Sequence, residues 1–192
     1  MKDIRVDNIL TDNRLNLTGK EKLTHYKIVF LSGISSILII VSYFINESNT
    51  NGRRDLLLFG VAMLMVGIFD YFNQKRKLRF EQIKTFLTRG ELDEIISKTC
   101  MKLDWLKQIE TDEIFIAKTE PSYLSGSWGE RITIIFGTDE LLINSICDPT
   151  KSSSITSFGR NRKHVDEIKL EIQKREGGQK QRKYIDRKRQ RR

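Results

Sequence analysis

The stretch Ser157-Phe158-Gly159-Arg160-Asn161-Arg162-Lys163-His164 brings one glycine, three cations and an imidazole to the start of a segment with helical apolar spacing. A helix N-terminus presents unsatisfied backbone N–H groups and the positive end of the helix dipole, so cations gathered there supply the chemistry of an anion site. Arg160, Arg162, Lys163 and His164 are therefore the candidate anion- or lipid-binding residues. No Walker pattern or glycine-rich phosphate fingerprint accompanies them, and an ordinary strand-to-helix turn with a solvated basic face has the same composition. A second pattern, Gly126-Ser127-Trp128-Gly129, lacks the spacing of a nucleophile elbow. A serine hydrolase there would have to use His164 as its base.

The other reactive side chains are scattered. His25 and His164 form no pair that points to a metal or an acid/base couple. Cys100 and Cys147 stand far apart without a CxxC, which argues against a metal site or a disulfide framework and fits a reducing compartment. No catalytic residue, metal ligand or cofactor is assigned on this pattern. Glu120, Glu130, Asp139 and Glu140 fall beside turns, where carboxylates are commonly solvated.

The elements that must position these residues begin with two apolar runs, Ile28 to Ile45 and Leu56 to Phe69, separated by the polar stretch Asn46 to Asp55. A helix needs about 20 mostly apolar residues to cross a hydrocarbon core. The pattern predicts a transmembrane hairpin over residues 28–72, with spans at about 28–46 and 55–72 and Tyr71 and Phe72 at the interface. Acidic residues before the first run and the lack of a cleavage site speak against a removable signal peptide. Lys20, Lys22 and Lys27 before the hairpin and Lys75, Arg76, Lys77 and Arg79 after it outnumber Arg53 and Arg54 in the loop. Both termini are thus expected in the cytoplasm, with the protein in the inner membrane. Ser32 and Ser36 in the first span and Gly60 and Gly67 in the second are the candidate helix-packing residues, for the hairpin itself or for a homo-oligomer. No ionisable residue lies deep in either span to mark a transport path.

After a cytoplasmic segment 1–27 and the hairpin, residues 80–176 read as an α+β domain. Phe80, Ile83 and Leu87 suggest a short juxtamembrane helix, and Leu92, Ile95, Ile96 and Thr99 share the face of a second. An antiparallel meander follows, with strands over Trp105–Ile109, Ile114–Lys118, Arg131–Phe136 and Leu141–Cys147, and a short last strand at Ile155–Phe158. Asn161 is the expected N-cap of a closing helix with Val165, Ile168 and Ile172 on its apolar face. One sheet face is expected to lie under helices.

The chain carries 34 Lys and Arg against 25 Asp and Glu, for a formal net charge of +9. Much of the excess lies in the tail, where Lys174, Arg175, Lys180, Arg182, Lys183, Arg187, Lys188, Arg189, Arg191 and Arg192 face only Glu176 and Asp186. The tail is expected to be disordered over 177–192. Anionic lipid headgroups are its cheapest partner, at about 1 kcal/mol per cation near a charged leaflet. Nucleic acid is a weaker candidate, since only Tyr184 offers an aromatic ring for stacking.

Trp128-Gly129-Glu130, the run Asn144-Ser145-Ile146-Cys147-Asp148-Pro149 and Ser157-Phe158-Gly159-Arg160-Asn161 resemble bacterial two-span membrane proteins with a small cytoplasmic domain, a group that carries no activity to transfer. The architecture is also loosely similar to bacterial pleckstrin-homology-like membrane domains, though with a lower strand count. The resulting expectation is a membrane protein whose hairpin anchors a protein- or lipid-binding domain. A membrane-bound enzyme acting on an anionic substrate and a small subunit of a membrane complex are the alternatives.

Overall fold

The computed structural model describes residues 12–45, 50–121, 127–151 and 159–190, the stretches 50–53 and 182–190 by their backbone alone. Two long apolar helices, α1 (Gly19–Ile45) and α2 (Thr50–Lys77), pack against each other. They are followed by strand β1 (Glu81–Lys84), helix α3 (Arg89–Lys102), strands β2 (Leu106–Glu110), β3 (Ile114–Lys118), β4 (Glu130–Phe136) and β5 (Glu140–Cys147), and helix α4 (Arg160–Gln190). The strands form one antiparallel sheet in the order β1-β5-β4-β3-β2. The class is α+β, and the predicted meander is present as β2 to β5.

The segment after α2 is a strand where Phe80, Ile83 and Leu87 suggest a helix. It pairs with β5, Ile83 standing opposite Leu141 and Glu81 opposite Ile143. The open edge of β5 supplies hydrogen bonds that outweigh a three-residue helical signal. Helix α3 forms as expected, one turn earlier than its apolar residues require, because Glu91 accepts the Thr88 N–H at 3.0 Å and closes its N-terminus.

The sheet is buried on both faces. On the first, Phe115, Ala117, Ile132, Ile134, Leu141 and Ile143 pack under Leu92, Ile95 and Ile96 of α3 and Val165, Ile168 and Ile172 of α4. On the second, Ile114, Ile116, Ile135, Leu142 and Ile146 are covered by Leu15, Leu17, Leu78 and Phe80, the residues that enter and leave the helical hairpin. Only one covered face was expected. Adjacent apolar pairs such as Ile134-Ile135 and Leu141-Leu142 are the sequence signature of strands buried on both sides.

Three contacts join the hairpin base to the sheet. Asn144 on β5 donates through Nδ2 to the carbonyls of Lys77 and Arg79, at 2.8 Å each. Arg131 on β4 pairs with Glu21 at 2.5 Å, and Glu21 also accepts the Thr18 N–H that opens α1. His25 Nε2 lies 3.1 Å from the Gln74 carbonyl and links the two helices just above.

Between the helices, Ser36 is fully buried, and its hydroxyl and that of Ser32 bond backward to carbonyls of α1. A Cβ on Gly60 would lie 2.9 Å from Ile40 Cγ1, and one on Gly67 would lie 2.9 Å from Ser32 Oγ. The small residues thus form the seam of the hairpin itself.

Helix α4 runs without a break through Gly177 and Gly178 to Gln190, whereas the composition predicts disorder over 177–192. Ion pairs fasten its first half: Lys102 to Glu167 at 2.5 Å, Lys98 to Glu171 at 2.9 Å and Arg175 to Glu94 at 2.6 Å. Its N-terminal residue is Arg160, so Asn161 lies inside the helix and does not cap it. The expected strand Ile155–Phe158 lies outside the described residues, as do Arg191 and Arg192.

Candidate functional site

One end of the sheet gathers the polar side chains that the sequence scatters. Strand β3 ends at Lys118 with Thr119 just beyond it, β4 begins at Glu130, β5 ends at Cys147 with Asp148 just beyond it, and α4 starts at Arg160. Gly129, at φ +110°, turns the chain into β4; a Cβ there would sit 2.5 Å from the Thr119 carbonyl oxygen, so the close approach admits only glycine.

Glu130 is the centre of this cluster, with no exposed surface. Its carboxylate accepts the Thr119 hydroxyl at 2.5 Å and the Ser127 hydroxyl at 2.7 Å, and its N–H donates to Thr119 Oγ1 at 2.9 Å. Arg160 Nη2 stands 3.2 Å from Oε2. Burial pushes this carboxyl up, but the neighbouring His164 imidazole, the two hydroxyls and the Arg160 charge outweigh it and hold the group below the usual carboxylate range.

His164 is equally enclosed. Its Nδ1 accepts the Trp105 indole N–H at 2.9 Å with the rings edge to face, which leaves the proton of the neutral ring on Nε2. That nitrogen points toward Glu130 from 3.8 Å, beyond hydrogen-bond reach, and has no other partner. Beside this pair, Asp148 takes Lys118 Nζ at 2.7 Å, the Thr150 hydroxyl at 2.7 Å and the Thr150 N–H at 3.0 Å. Burial raises its pKa and these donors lower it, with a net result below the ordinary value. Asn161 reaches back to Ser145 Oγ at 3.1 Å and to Cys147 Sγ at 3.9 Å, and burial pushes that thiol up.

The four residues expected to form an anion site divide into two groups. Arg160 and His164 turn inward on Glu130, whereas Arg162 and Lys163 are exposed, Arg162 at 3.5 Å from Asp166. The anion at this helix N-terminus is the chain's own carboxylate. An acid, an imidazole and a guanidinium have the composition of a general acid/base set, but a catalytic group must come within hydrogen-bond reach of a substrate proton, and Glu130 is sealed. What the arrangement does is fasten the start of α4 to the end of the sheet. By sequence Glu130 falls beside a turn, where a carboxylate is expected to be solvated, and the fold buries it. The signal that could have corrected this is its place before Ile132 and Ile134, which makes it the first residue of a strand buried on both faces.

The basic tail begins on the same helix. Lys180 lies 5.6 Å from the centre of the Phe86 ring, and Gln179 donates to Glu91 at 2.5 Å. Arg182, Lys183, Arg187, Lys188 and Arg189 follow on a continuing helical backbone. Helix α4 lies on the first sheet face through Ile172, and the hairpin base packs on the second. Among the described residues no group of three or more His, Cys, Asp or Glu is placed to hold a metal ion. Comparison of the chain with protein-family models, curated proteins and solved structures finds no match in any of the three.

Proposed function

We propose that this is an integral membrane protein of the cytoplasmic membrane, in which the α1–α2 hairpin anchors a cytoplasmic binding domain and both termini lie on the cytoplasmic side. The observation that carries this reading is the exposure of the hairpin. Its apolar side chains face outward along its length, with Ile45 74%, Phe69 67% and Met65 66% exposed. Core helices of a soluble protein would hide these groups, and an apolar surface of that extent supports placement in an apolar solvent. At 27 and 28 residues the helices are about 40 Å long at 1.5 Å per residue, enough to span the bilayer core.

The cations flanking the hairpin, Lys20, Lys22, Lys27, Lys75 and Arg76, then sit at headgroup level and favour anionic lipid. The domain acts by binding. Of the four residues that an enzyme would turn on an anionic substrate, Arg160 and His164 face Glu130 and only Arg162 and Lys163 are left on the surface, which favours a binding module over the enzymatic alternative. A cysteine-labelling experiment tests the topology. In a background lacking Cys100 and Cys147, Asn51→Cys should react with an impermeant maleimide from outside intact cells, and Lys180→Cys only after lysis. Release of the protein by alkaline carbonate wash, or labelling of Lys180→Cys from outside, refutes the reading.

A further inference from the structure

We infer that Arg14 and Arg79 form a clamp for the phosphate of a membrane phospholipid at the base of the hairpin. The two are cross-strand partners in an isolated antiparallel bridge. The bridge is built by the Leu15 N–H donating to the Leu78 carbonyl at 2.8 Å and the Phe80 N–H to the Asn13 carbonyl at 3.1 Å. Leu15, Leu17, Leu78 and Phe80 all bury their side chains in the second sheet face. In an extended chain alternate residues point to opposite sides, so Arg14, Asn16 and Arg79 face away from the sheet.

These residues line a cleft of about 540 Å³ together with Asp12 and Asn13. Arg14 is also within electrostatic reach of the Tyr26 phenol, and Tyr26 and Tyr71 stack with ring centroids 5.6 Å apart. Paired tyrosines of this kind belong to the membrane–water interface. The cleft therefore opens at the depth where lipid phosphates lie.

Two like charges directly opposite each other across a bridge repel. Among the described residues neither guanidinium has an ion pair, although most other cations of the domain find a carboxylate. An anion between them relieves the repulsion, and guanidinium forks suit the bidentate recognition of phosphate oxygens. This contact is separate from the Glu130 cluster, which lies at the sheet end, and it gives the proposed membrane module a specific lipid.

The inference rests on the hairpin lying in a membrane, and its test is read separately from that. The full-length protein, extracted in detergent and exchanged into mixed micelles, is titrated with phosphatidylglycerol, and bound lipid is counted by native mass spectrometry. Wild type should retain one phosphatidylglycerol and no diacylglycerol, and 10 mM inorganic phosphate (about the level needed to occupy a weak phosphate site) should not displace it. Arg14→Gln or Arg79→Gln should weaken retention about tenfold or more, since each removes charge-assisted hydrogen bonds. Asp12→Asn removes the nearby carboxylate and should tighten it, which gives a variant of opposite sign if the arginine variants fold poorly. Arg162→Gln on the exposed side of α4 should change nothing. Equal retention of diacylglycerol, displacement by inorganic phosphate, or retention indifferent to Arg14, Arg79 and Asp12 would overturn the clamp. If the protein proves soluble without detergent, the hairpin reading fails instead.

Discussion

Replacing Glu130 by glutamine keeps the shape of the side chain and removes its charge, which isolates what the buried carboxylate contributes. In the native protein it is fully enclosed, bound by two hydroxyls at 2.5 and 2.7 Å and faced by Arg160 at 3.2 Å. Breaking a buried ion pair by removing one partner costs about 3–5 kcal/mol. The Arg160 side chain is 27% exposed and can partly rehydrate, which places the expected loss near the lower bound, about 3 kcal/mol. For a domain of about 100 residues, each 1 kcal/mol moves the midpoint by roughly 4–8 °C, so Glu130→Gln should unfold roughly 12–24 °C below wild type. Trp105, bonded to the neighbouring His164, reports the transition by fluorescence in detergent-solubilised full-length protein at a fixed scan rate. The pH dependence supplies a second reading. The folded pKa of Glu130 is lowered relative to the unfolded one, so its stabilisation is present above the unfolded carboxylate value of about 4.3 and is lost as pH falls through the lower folded value. Wild type should therefore lose stability on acidification below about pH 4, and Glu130→Gln should lack that part of the loss. A variant that melts within about 2 °C of wild type with an unchanged acid limb would refute the assignment of Glu130 as the fastening of α4.

The remaining predictions concern the hairpin, its attachment and the reactivity of the core. Asn144→Ala removes two hydrogen bonds to the carbonyls of Lys77 and Arg79; it should cost about 1–3 kcal/mol and raise hydrogen exchange in residues 78–80 before it alters the rest of the sheet. Gly60→Leu meets Ile40 Cγ1 at 2.9 Å and Ile39 Cγ2 at 3.0 Å, so it should separate α1 from α2 and abolish an engineered disulfide across the seam, with Gly60→Ala intermediate. Burial raises the Cys100 thiol to about 11, so alkylation at pH 8 should be at least tenfold slower than in the unfolded chain, and equal rates would contradict its packing. Deleting residues 182–192 should leave the protein in the carbonate-resistant membrane fraction, because the proposed anchor is the apolar α1–α2 hairpin and not the basic tail.

The local elements were legible where composition and period agreed. The hairpin was visible in two long apolar runs, α3 in the spacing of Leu92, Ile95, Ile96 and Thr99, and the meander in short alternating segments separated by Thr111-Asp112 and Gly137-Thr138-Asp139. What stayed hidden depended on residues distant in sequence. Strand β1 exists because β5 offers it an edge, and its own residues match a helix as well as a strand. Glu130 looks like any acid beside a turn until Arg160 and His164 arrive from 30 and more residues away. The division of the four candidate anion-site residues follows from the same fact: a positive helix end is an anion site whether the anion is a ligand or a residue of the chain. Sequence spacing locates the cations, and only the fold says what they face.

The second sheet face carries the larger consequence for how such a molecule works. A domain joined to a membrane helix by a flexible linker samples many orientations, and its binding surface has no fixed height above the leaflet. Here no such linker intervenes at either end of the hairpin. Leu15 and Leu17 precede α1 directly and Leu78 and Phe80 follow α2 directly, and all four are buried against Ile114, Ile116, Ile135, Leu142 and Ile146. Arg131 and Asn144, from the middle of the sheet, then fix the start of one helix and the end of the other. A change in the tilt or separation of α1 and α2 must either move the sheet with it or break these contacts, since packed interfaces deform little before they yield. In a bilayer, a span longer than the local hydrocarbon thickness can accommodate the mismatch by tilting. If the hairpin lies in a membrane and the proposed clamp holds a lipid there, this connection would let that lipid bias the domain that the hairpin holds.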